Sequence, residues 1–299
     1  MIKVVVFDLD DTLISESKYA FSAFTEIVSY LENILLIDKM KIYEDILNLY
    51  HKEKTQIFDR LFEKYHKSLS SEMKSYLIDV YRKHKPDITL DETTITILKS
   101  LRDKGIKTGI ITDGYIETQK NKIEALNLID FIDKIIYTDE FGREYWKPNP
   151  LAFESMKEFF DVDYDEMIYI GDNIKKDFIA PNFLGMKSIL LKNNNGVYSN
   201  IHATFDDITD LPHHIINSIS EITKFLDWGI VMNILFLTIL DFNNLNDSNI
   251  YTDLMNEFVF NKHSVFIVSP TERKNNIKTY IIKSNFTSLK YFFIAKLNW

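Results

Sequence analysis

Val4-Val5-Val6-Phe7-Asp8-Leu9-Asp10-Asp11-Thr12-Leu13 is the stretch that decides how this chain folds. Its four leading apolar residues have the unbroken hydrophobicity of a buried parallel strand. Two carboxylates, Asp8 and Asp10, follow at i and i+2, where that strand runs out. The carboxyl edge of an open α/β sheet is where such folds place their ligands. One carboxylate there could be a nucleophile and the other an acid/base, with a cation offsetting their like charge. The same letters also suit a plainer role, a cap and turn that closes a strand.

Three further blocks weigh against the plainer role. Ile110-Ile111-Thr112-Asp113-Gly114 ends a second apolar run that begins near Lys107. It offers a hydroxyl and turn N–H groups able to hold phosphate oxygens. Lys147-Pro148-Asn149-Pro150 supplies a cation in a proline-stiffened loop, suited to offsetting phosphate and carboxylate charge. Met167-Ile168-Tyr169-Ile170 is a third strand-like run, with Gly171-Asp172-Asn173 at its end and Asp177 five residues after Asp172. Such carboxylates are hard oxygen ligands of the kind Mg²⁺ takes, alongside waters and substrate phosphate. Each block has its own modest explanation as a helix cap, a surface lysine or helix-start acids. Together, in this order and with three of the four at predicted strand ends, they describe an active site.

At this point the chain resembles the haloacid dehalogenase superfamily. The matching motifs are Asp8-x-Asp10-x-Thr12, Thr112, Lys147-Pro148 and Gly171-Asp172-x-x-x-x-Asp177, and the resemblance covers about residues 1–225. It implies that Asp8 is the nucleophile forming an aspartyl-phosphate, and that Asp10 protonates the leaving oxygen and then activates water. Thr112 and Lys147 would hold the phosphoryl group, with Asp113 beside them at the phosphate. Mg²⁺ would be bound by the Asp8 carboxylate, the Asp10 main-chain carbonyl and Asp172, with Asp177 in or next to that shell. The dehalogenases of the superfamily lack an acid at the second aspartate, so Asp10 favours phosphoryl transfer. An alkoxide leaving group needs a proton, whereas a halide does not. Phosphomutases of the superfamily keep both aspartates and share these motifs.

The 299 residues, 45% hydrophobic and 14% aromatic, can fill one large core or two. With no cysteine, disulfides and thiolate metal sites are excluded, and a reducing compartment is suited. Asp8 and Asp10 stand close behind the first residue, so no signal peptide is expected, and the expected location is cytoplasmic. The longest apolar stretch, Trp228 to Leu240, holds 13 residues including Asn233 and Thr238, too few to span a bilayer. A net charge of −9 argues against nucleic acid as a partner. The expected partner is a small phosphorylated substrate, and nothing in the sequence sets an oligomeric state.

From Ser15 to about Lys85 the period is helical. Ala20, Phe24, Ile27, Val28, Leu31 and Leu35 recur at three- and four-residue steps, and later stripes run through Ile42, Phe62, Leu77 and Tyr81. The aromatics of these stripes are expected in a core rather than a pocket. No glycine or proline interrupts the segment before Pro86. Its place between the first two motifs resembles the helical cap of the superfamily, which can exclude water from the site. After Pro86, helix and strand alternate through strands ending at Thr112, Tyr137, Gly171 and Leu191, with a helix carrying Asp177. Asn193-Asn194-Asn195-Gly196 reads as a loop. Such alternation implies a Rossmann-like parallel sheet covered on both faces. The expected domains are an α/β core at 1–14 and 86–226, a helical cap at 15–85, and a partial βαβ segment at 227–299.

That last segment differs in composition. Residues 1–231 hold 28 basic and 39 acidic residues, whereas 232–299 hold 7 basic and 5 acidic. Met232 to Thr238 reads as a strand, a helix follows through Tyr251, Leu254, Met255 and Phe258, and Ser264 to Val268 reads as a second strand. The unit resembles the start of a glycosyltransferase built from two Rossmann-like domains, although Asp241 to Ile250 lacks the glycine of that family's first loop. A fusion of two reading frames, a truncated second domain or an accessory βαβ module would each account for it. The expected activity is a Mg²⁺-dependent phosphohydrolase acting on a small metabolite such as a sugar phosphate or nucleotide. A phosphomutase, or a scaffold docking a polysaccharide-assembly partner, is the alternative.

Overall fold

A computed structural model of the chain describes residues 1–192 and 211–226, and the backbone of three strands at 233–237, 264–270 and 277–282. The chain divides into two compact units, Met1–Asp227 and Trp228–Trp299. In the first unit six strands form one sheet: β1 (Val4–Phe7), β2 (Lys107–Thr112), β3 (Lys134–Tyr137), β4 (Met167–Gly171), β5 (Lys187–Leu191) and β6 (His214–Ile216). The sheet order is β3-β2-β1-β4-β5-β6, and every pairing is parallel. The chain lays β2 and β3 on one side of β1, then crosses back to lay β4, β5 and β6 on the other. β1 therefore sits at the topological switch point, where the carboxyl ends of the strands leave a crevice. Its unbroken Val-Val-Val-Phe follows from this position, with all four side chains buried between flanking strands and covering helices.

Four helices fill the interval between β1 and Pro86: α1 (Glu16–Leu35), α2 (Lys39–Lys52), α3 (Ile57–Lys64) and α4 (Ser71–Lys83). The α1 stripe of Ala20, Phe24, Ile27, Val28, Leu31 and Leu35 packs with Ile42 and Ile46, Leu61 and Phe62, and Leu77 into a core separate from that of the sheet. Two helix starts are fixed by side-chain oxygens: Asp38 accepts from Met40 and Lys41 N–H, and Ser70 accepts from Met73 N–H. No single helix among the described residues is long and apolar enough to cross a membrane.

The sheet is covered by α5 (Glu92–Asp103), α6 (Ile116–Ala125), α7 (Leu151–Phe160) and the short α8 (Ile179–Leu184), and α9 (Thr223–Leu226) ends the described part of the unit. Ala152, Phe153 and Met156 of α7 pack with Val4, Val6, Ile111, Met167 and Tyr169. Gly105, beyond the end of α5, has φ +71°, the left-handed turn that glycine makes at little cost after a helix.

Three points differ from the sequence reading. Asp177 lies in a run of turns rather than on a helix. Pro181 explains the difference: it has no N–H to give the Asp177 carbonyl four residues back, so the helix begins at Ile179 with proline in its first turn. The three-residue strand β6 was too short to leave a periodic signal. In the second unit β7 (Asn233–Leu237) and β8 (Ser264–Pro270) pair in parallel, and an unanticipated β9 (Ile277–Ile282) joins β8 antiparallel. The helix expected through Tyr251 and Phe258 and the loop at Asn193–Gly196 lie outside the described residues.

Because the first unit holds both of these cores, a chain ending at Asp227 is expected to fold. A cooperative urea transition and a preserved far-UV dichroism spectrum check this. A broad, non-cooperative transition would make the remaining residues part of the same folding unit.

Candidate active site

Asp8 leaves β1 with its N–H bonded to the Ile170 carbonyl of β4 at 2.8 Å. The loop that follows is tightly wound. Leu13 and Ile14 N–H both reach the Leu9 carbonyl, at 2.9 and 3.2 Å, and Asp11 N–H reaches Ile14 at 2.7 Å. Asp11 takes φ +54° in the left-handed region that aspartate tolerates better than most residues. Its Oδ1 accepts the N–H of Glu16 at 3.0 Å, at the first turn of α1. The Thr12 hydroxyl is buried with no protein partner.

Lys147 is the hub. Its side chain is fully buried, and its ammonium lies 2.5 Å from Asp8 Oδ1 and 2.8 Å from Asp177 Oδ1. It also donates to the Tyr169 hydroxyl at 2.8 Å, and that hydroxyl donates to Asp177 Oδ1 at 3.2 Å. Burial works against the ammonium charge, but Asp177 and Asp8 outweigh it and hold Lys147 well above the ordinary lysine range. The other Asp177 oxygen accepts the Asn173 N–H at 2.9 Å.

Asp8, Asp172 and Asp177 bring carboxylate oxygens within 4.8 Å of one another. Burial and the nearby charges of Asp8 and Asp177 push the Asp172 carboxyl up to about 9. Burial lifts Asp8 to about 7 in spite of Lys147. Lys147 serves Asp8 and Asp177 directly, whereas Asp172 has no ion pair or hydrogen bond among the described residues. An all-oxygen trio with this unmet negative charge fits a hard divalent cation.

Asp10 stands apart from the trio. Its Oδ1 pairs with Lys122 at 2.6 Å, and its Oδ2 accepts from Gln119 Nε2 at 2.8 Å. These contacts draw its side chain away from the other carboxylates, so only its main-chain carbonyl remains for the expected role at the metal. The Thr112 hydroxyl is buried and accepts from the same Gln119 amide at 2.6 Å. The side chain of Asp113 is committed to its neighbours. Its Oδ1 accepts from Lys147 N–H at 3.1 Å and Thr138 Oγ1 at 2.8 Å, and its Oδ2 pairs with Lys176 at 2.6 Å. Burial alone would raise its carboxyl, but Lys147 and Lys176 prevail and keep it below the ordinary range. An ionised carboxylate repels phosphate, so Asp113 can offer a phosphate no more than its backbone, and its side chain ties the loops together.

Five residues of this arrangement were not singled out from the sequence: Gln119, Lys122, Thr138, Tyr169 and Lys176. One signal was available. Gln119, Lys122 and Ile123 are spaced i, i+3, i+4 on one face of α6, and all three are buried. Polar residues on the inward face of a helix imply partners inside. Tyr169 reads as an ordinary member of an apolar strand, and Lys176 as a solvated lysine.

Carboxylates gathered around a buried lysine at the switch point of a parallel sheet, with a four-helix insertion beside them, mark one class of α/β protein. The chain belongs to the haloacid dehalogenase-like hydrolases, whose family model matches residues 5–191. It is 26% identical over 242 residues to a glyceraldehyde 3-phosphate phosphatase of Methanopyrus kandleri, a match covering 75% of this chain and all of that protein. With the protein of the same name from Pyrococcus abyssi it shares 30% identity over 197 residues, covering 64% and 82% of the two chains. A pyrophosphatase of Bacillus cereus is 26% identical over 173 residues, 58% of this chain and 75% of that one. The putative hydrolase YfnB of Bacillus subtilis, solved bound to magnesium, superposes with a TM-score of 0.52 at 17% identity over 75% of this chain and 98% of its own. It shares the fold. The chain is thus a phosphatase of this family.

Two outcomes follow from the packing and charge of the site. Gly171 has no room for a side chain, because an added Cβ would overlap the Asp177 carboxylate. Gly171→Ala is expected to cost about 1–3 kcal/mol, read as a lower urea midpoint. For Asp172, a folded-state pKa raised above the unfolded value means that ionising it opposes folding. Stability of the metal-free protein should therefore fall as pH rises from about 4 towards about 9. In chelator at pH 8, Asp172→Asn is expected to melt higher than the unsubstituted protein, and added Mg²⁺ is expected to raise the melting of the unsubstituted protein but not of the variant. Melting curves of the two proteins with and without Mg²⁺ check both halves.

Proposed function

We propose that the chain is a Mg²⁺-dependent phosphomonoesterase that works through an aspartyl-phosphate on Asp8 and acts on a small sugar phosphate. The observation that carries this reading is the Asp8 carboxylate itself. It stands at the switch-point crevice, gripped on one oxygen by the buried Lys147 and grouped with Asp172 and Asp177. An Asp8 oxygen attacks phosphorus as the bond from phosphorus to the leaving oxygen breaks, and Asp10 gives that oxygen its proton. Water then attacks the phosphoryl group, Asp10 takes a proton from it, and the bond from phosphorus to Asp8 breaks. Lys147 and the Thr112 hydroxyl orient the phosphoryl oxygens. Asp8, Asp172 and the Asp10 carbonyl would hold the cation, with Asp177 beside them tied to Lys147. Bound there, Mg²⁺ supplies the positive charge that lets carboxylates and a phosphate share one site.

The sugar-phosphate reading draws on a cavity of about 580 Å³ at the boundary of the helical insertion and the sheet domain, reaching Asp10. That volume is typical of sites that enclose small molecules. Its walls combine the aromatic rings of Tyr50, Phe58 and Tyr81 with the charged groups of Glu16, Lys54 and Arg82. The three rings also pack in the core of the insertion, where the sequence reading placed such rings. Apolar ring faces beside charged hydrogen-bonding groups suit a hydroxylated carbon skeleton. The relatives from Methanopyrus kandleri and Pyrococcus abyssi, both glyceraldehyde 3-phosphate phosphatases, support the same class.

Asp8→Asn is expected to abolish phosphate release while leaving the fold intact, and chelation should abolish it reversibly on return of Mg²⁺. A panel of triose, pentose and hexose phosphates, nucleotides and non-carbohydrate phosphates tests the substrate class through released inorganic phosphate. Turnover of non-carbohydrate phosphates alone would refute the sugar-phosphate reading. Phosphoryl migration within one sugar without release would refute the hydrolase reading.

A further inference from the structure

We infer that Lys122 is a positioning residue that holds Asp10 in the orientation required for proton transfer, an inference resting on the reading of Asp10 as acid and base. Lys122 is buried, yet its ammonium has one ion pair among the described residues, to Asp10 Oδ1 at 2.6 Å. One turn earlier on the same helix, Gln119 donates 2.8 Å to the other Asp10 oxygen. Both carboxylate oxygens are therefore held from α6, and neither by the loop on which Asp10 sits. The amide of Gln119 also reaches the Thr112 hydroxyl at 2.6 Å, which links the Asp10 clamp to the phosphoryl-binding end of β2.

The lysine is itself held in place. Its ammonium stands 4.5 Å from the centre of the Tyr19 ring, a cation–π contact that favours the charge where water is scarce. The Tyr19 hydroxyl donates to the carbonyls of Tyr81 and Arg82 at 2.8 and 3.1 Å, so the ring cannot swing away without breaking bonds to the end of α4. A lone aspartate side chain turns about two bonds, and small misplacements of a reacting group cost large factors in rate. A buried charge is strongly tied to the partner it contacts directly, and the Glu16 carboxylate near both Asp10 and Lys122 adds a more distant attraction for the lysine. Lys122 lines the same cavity as Asp10, and its role is to restrict that carboxylate through their direct contact.

The test compares kcat/KM of the full-length protein on an alkyl phosphate and on a nitrophenyl phosphate. Nitrophenolate departs with little need of a proton, and kcat/KM reports the steps up to its release. Asp10→Asn is expected to lose about 10²- to 10⁴-fold on the alkyl ester and far less on the nitrophenyl ester. Lys122→Met should lose about 10- to 100-fold on the alkyl ester, the size expected for one charge-assisted hydrogen bond, and little on the nitrophenyl ester. The double variant Asp10→Asn/Lys122→Met should be no slower than Asp10→Asn alone, because Lys122 acts only through Asp10. Should Lys122→Met fail to fold, Lys122→Gln, which keeps a donor and loses the charge, is put through the same comparison. Equal losses on both esters, no loss at all, or a full additional loss in the double variant would overturn the positioning role and leave the Asp10 assignment standing. If Asp10→Asn itself shows no leaving-group dependence, the reading of Asp10 as acid fails, and the inference fails with it.

Discussion

One buried ammonium keeps the carboxyl edge of this sheet from repelling itself apart. The switch-point topology delivers Asp8 from β1 and Asp172 and Asp177 from the segment after β4 to the same few ångströms. Carboxylates so close and so buried strongly disfavour their joint ionisation. Lys147 arrives from a different connection and touches both Asp8 and Asp177. Removing it would strand two buried charges at once, a loss usually larger than the net worth of the pairs. The Tyr169 hydroxyl from the middle of β4 completes the set, so a strand that is otherwise purely apolar contributes one polar atom to the hub.

Around this hub the charges sort into three groups. Lys147 and the trio lie beneath the crevice, while Lys122 and Gln119 hold Asp10 to one side. Lys176 and Asp113 form a third pair that anchors the main chain of Lys147 through Asp113 Oδ1. The separation has chemical content. In the proposed reaction Asp8 attacks as a carboxylate, whereas Asp10 gains and releases a proton, so the two acids need unlike surroundings despite being two residues apart. The backbone winding of Leu9 to Ile14 turns the second acid towards α6 instead of the metal-like trio.

Much of this was legible in the sequence because the strands are buried on both faces. Val4–Phe7, Lys107–Thr112 and Met167–Gly171 are apolar runs that end at charged or hydroxyl residues, so strand identity and site position were read from the same letters. The stripe of α1 gave the helical insertion for a similar reason, since it has a core of its own to fill. What stayed hidden was set by tertiary partners. Lys176 looks like any solvated lysine until the fold supplies Asp113, and Lys122 is set apart only by sharing a face of α6 with Gln119 and Ile123. Asp177 was placed on a helix because acids favour helix starts, and the missing N–H of Pro181 decided otherwise. Asp113 sits in a motif associated with phosphate, but two lysines and a threonine claim its carboxylate.

The two connections of the helical insertion to the sheet domain are both pinned at the site. The outgoing one is tied where the Asp11 carboxylate accepts the N–H of Glu16. The returning one is tied to α6, where Thr118 donates to the Arg82 carbonyl at 3.0 Å and Asn121 to the carbonyls of Lys83 and His84 at 3.1 and 3.2 Å. The two fastenings stand close together, one on the loop that carries Asp10 and Asp11 and one on the helix that carries Gln119 and Lys122. The insertion is therefore held firmly where it borders Asp10, and the cavity wall nearest that carboxylate is fixed by bonds from both sides of the boundary.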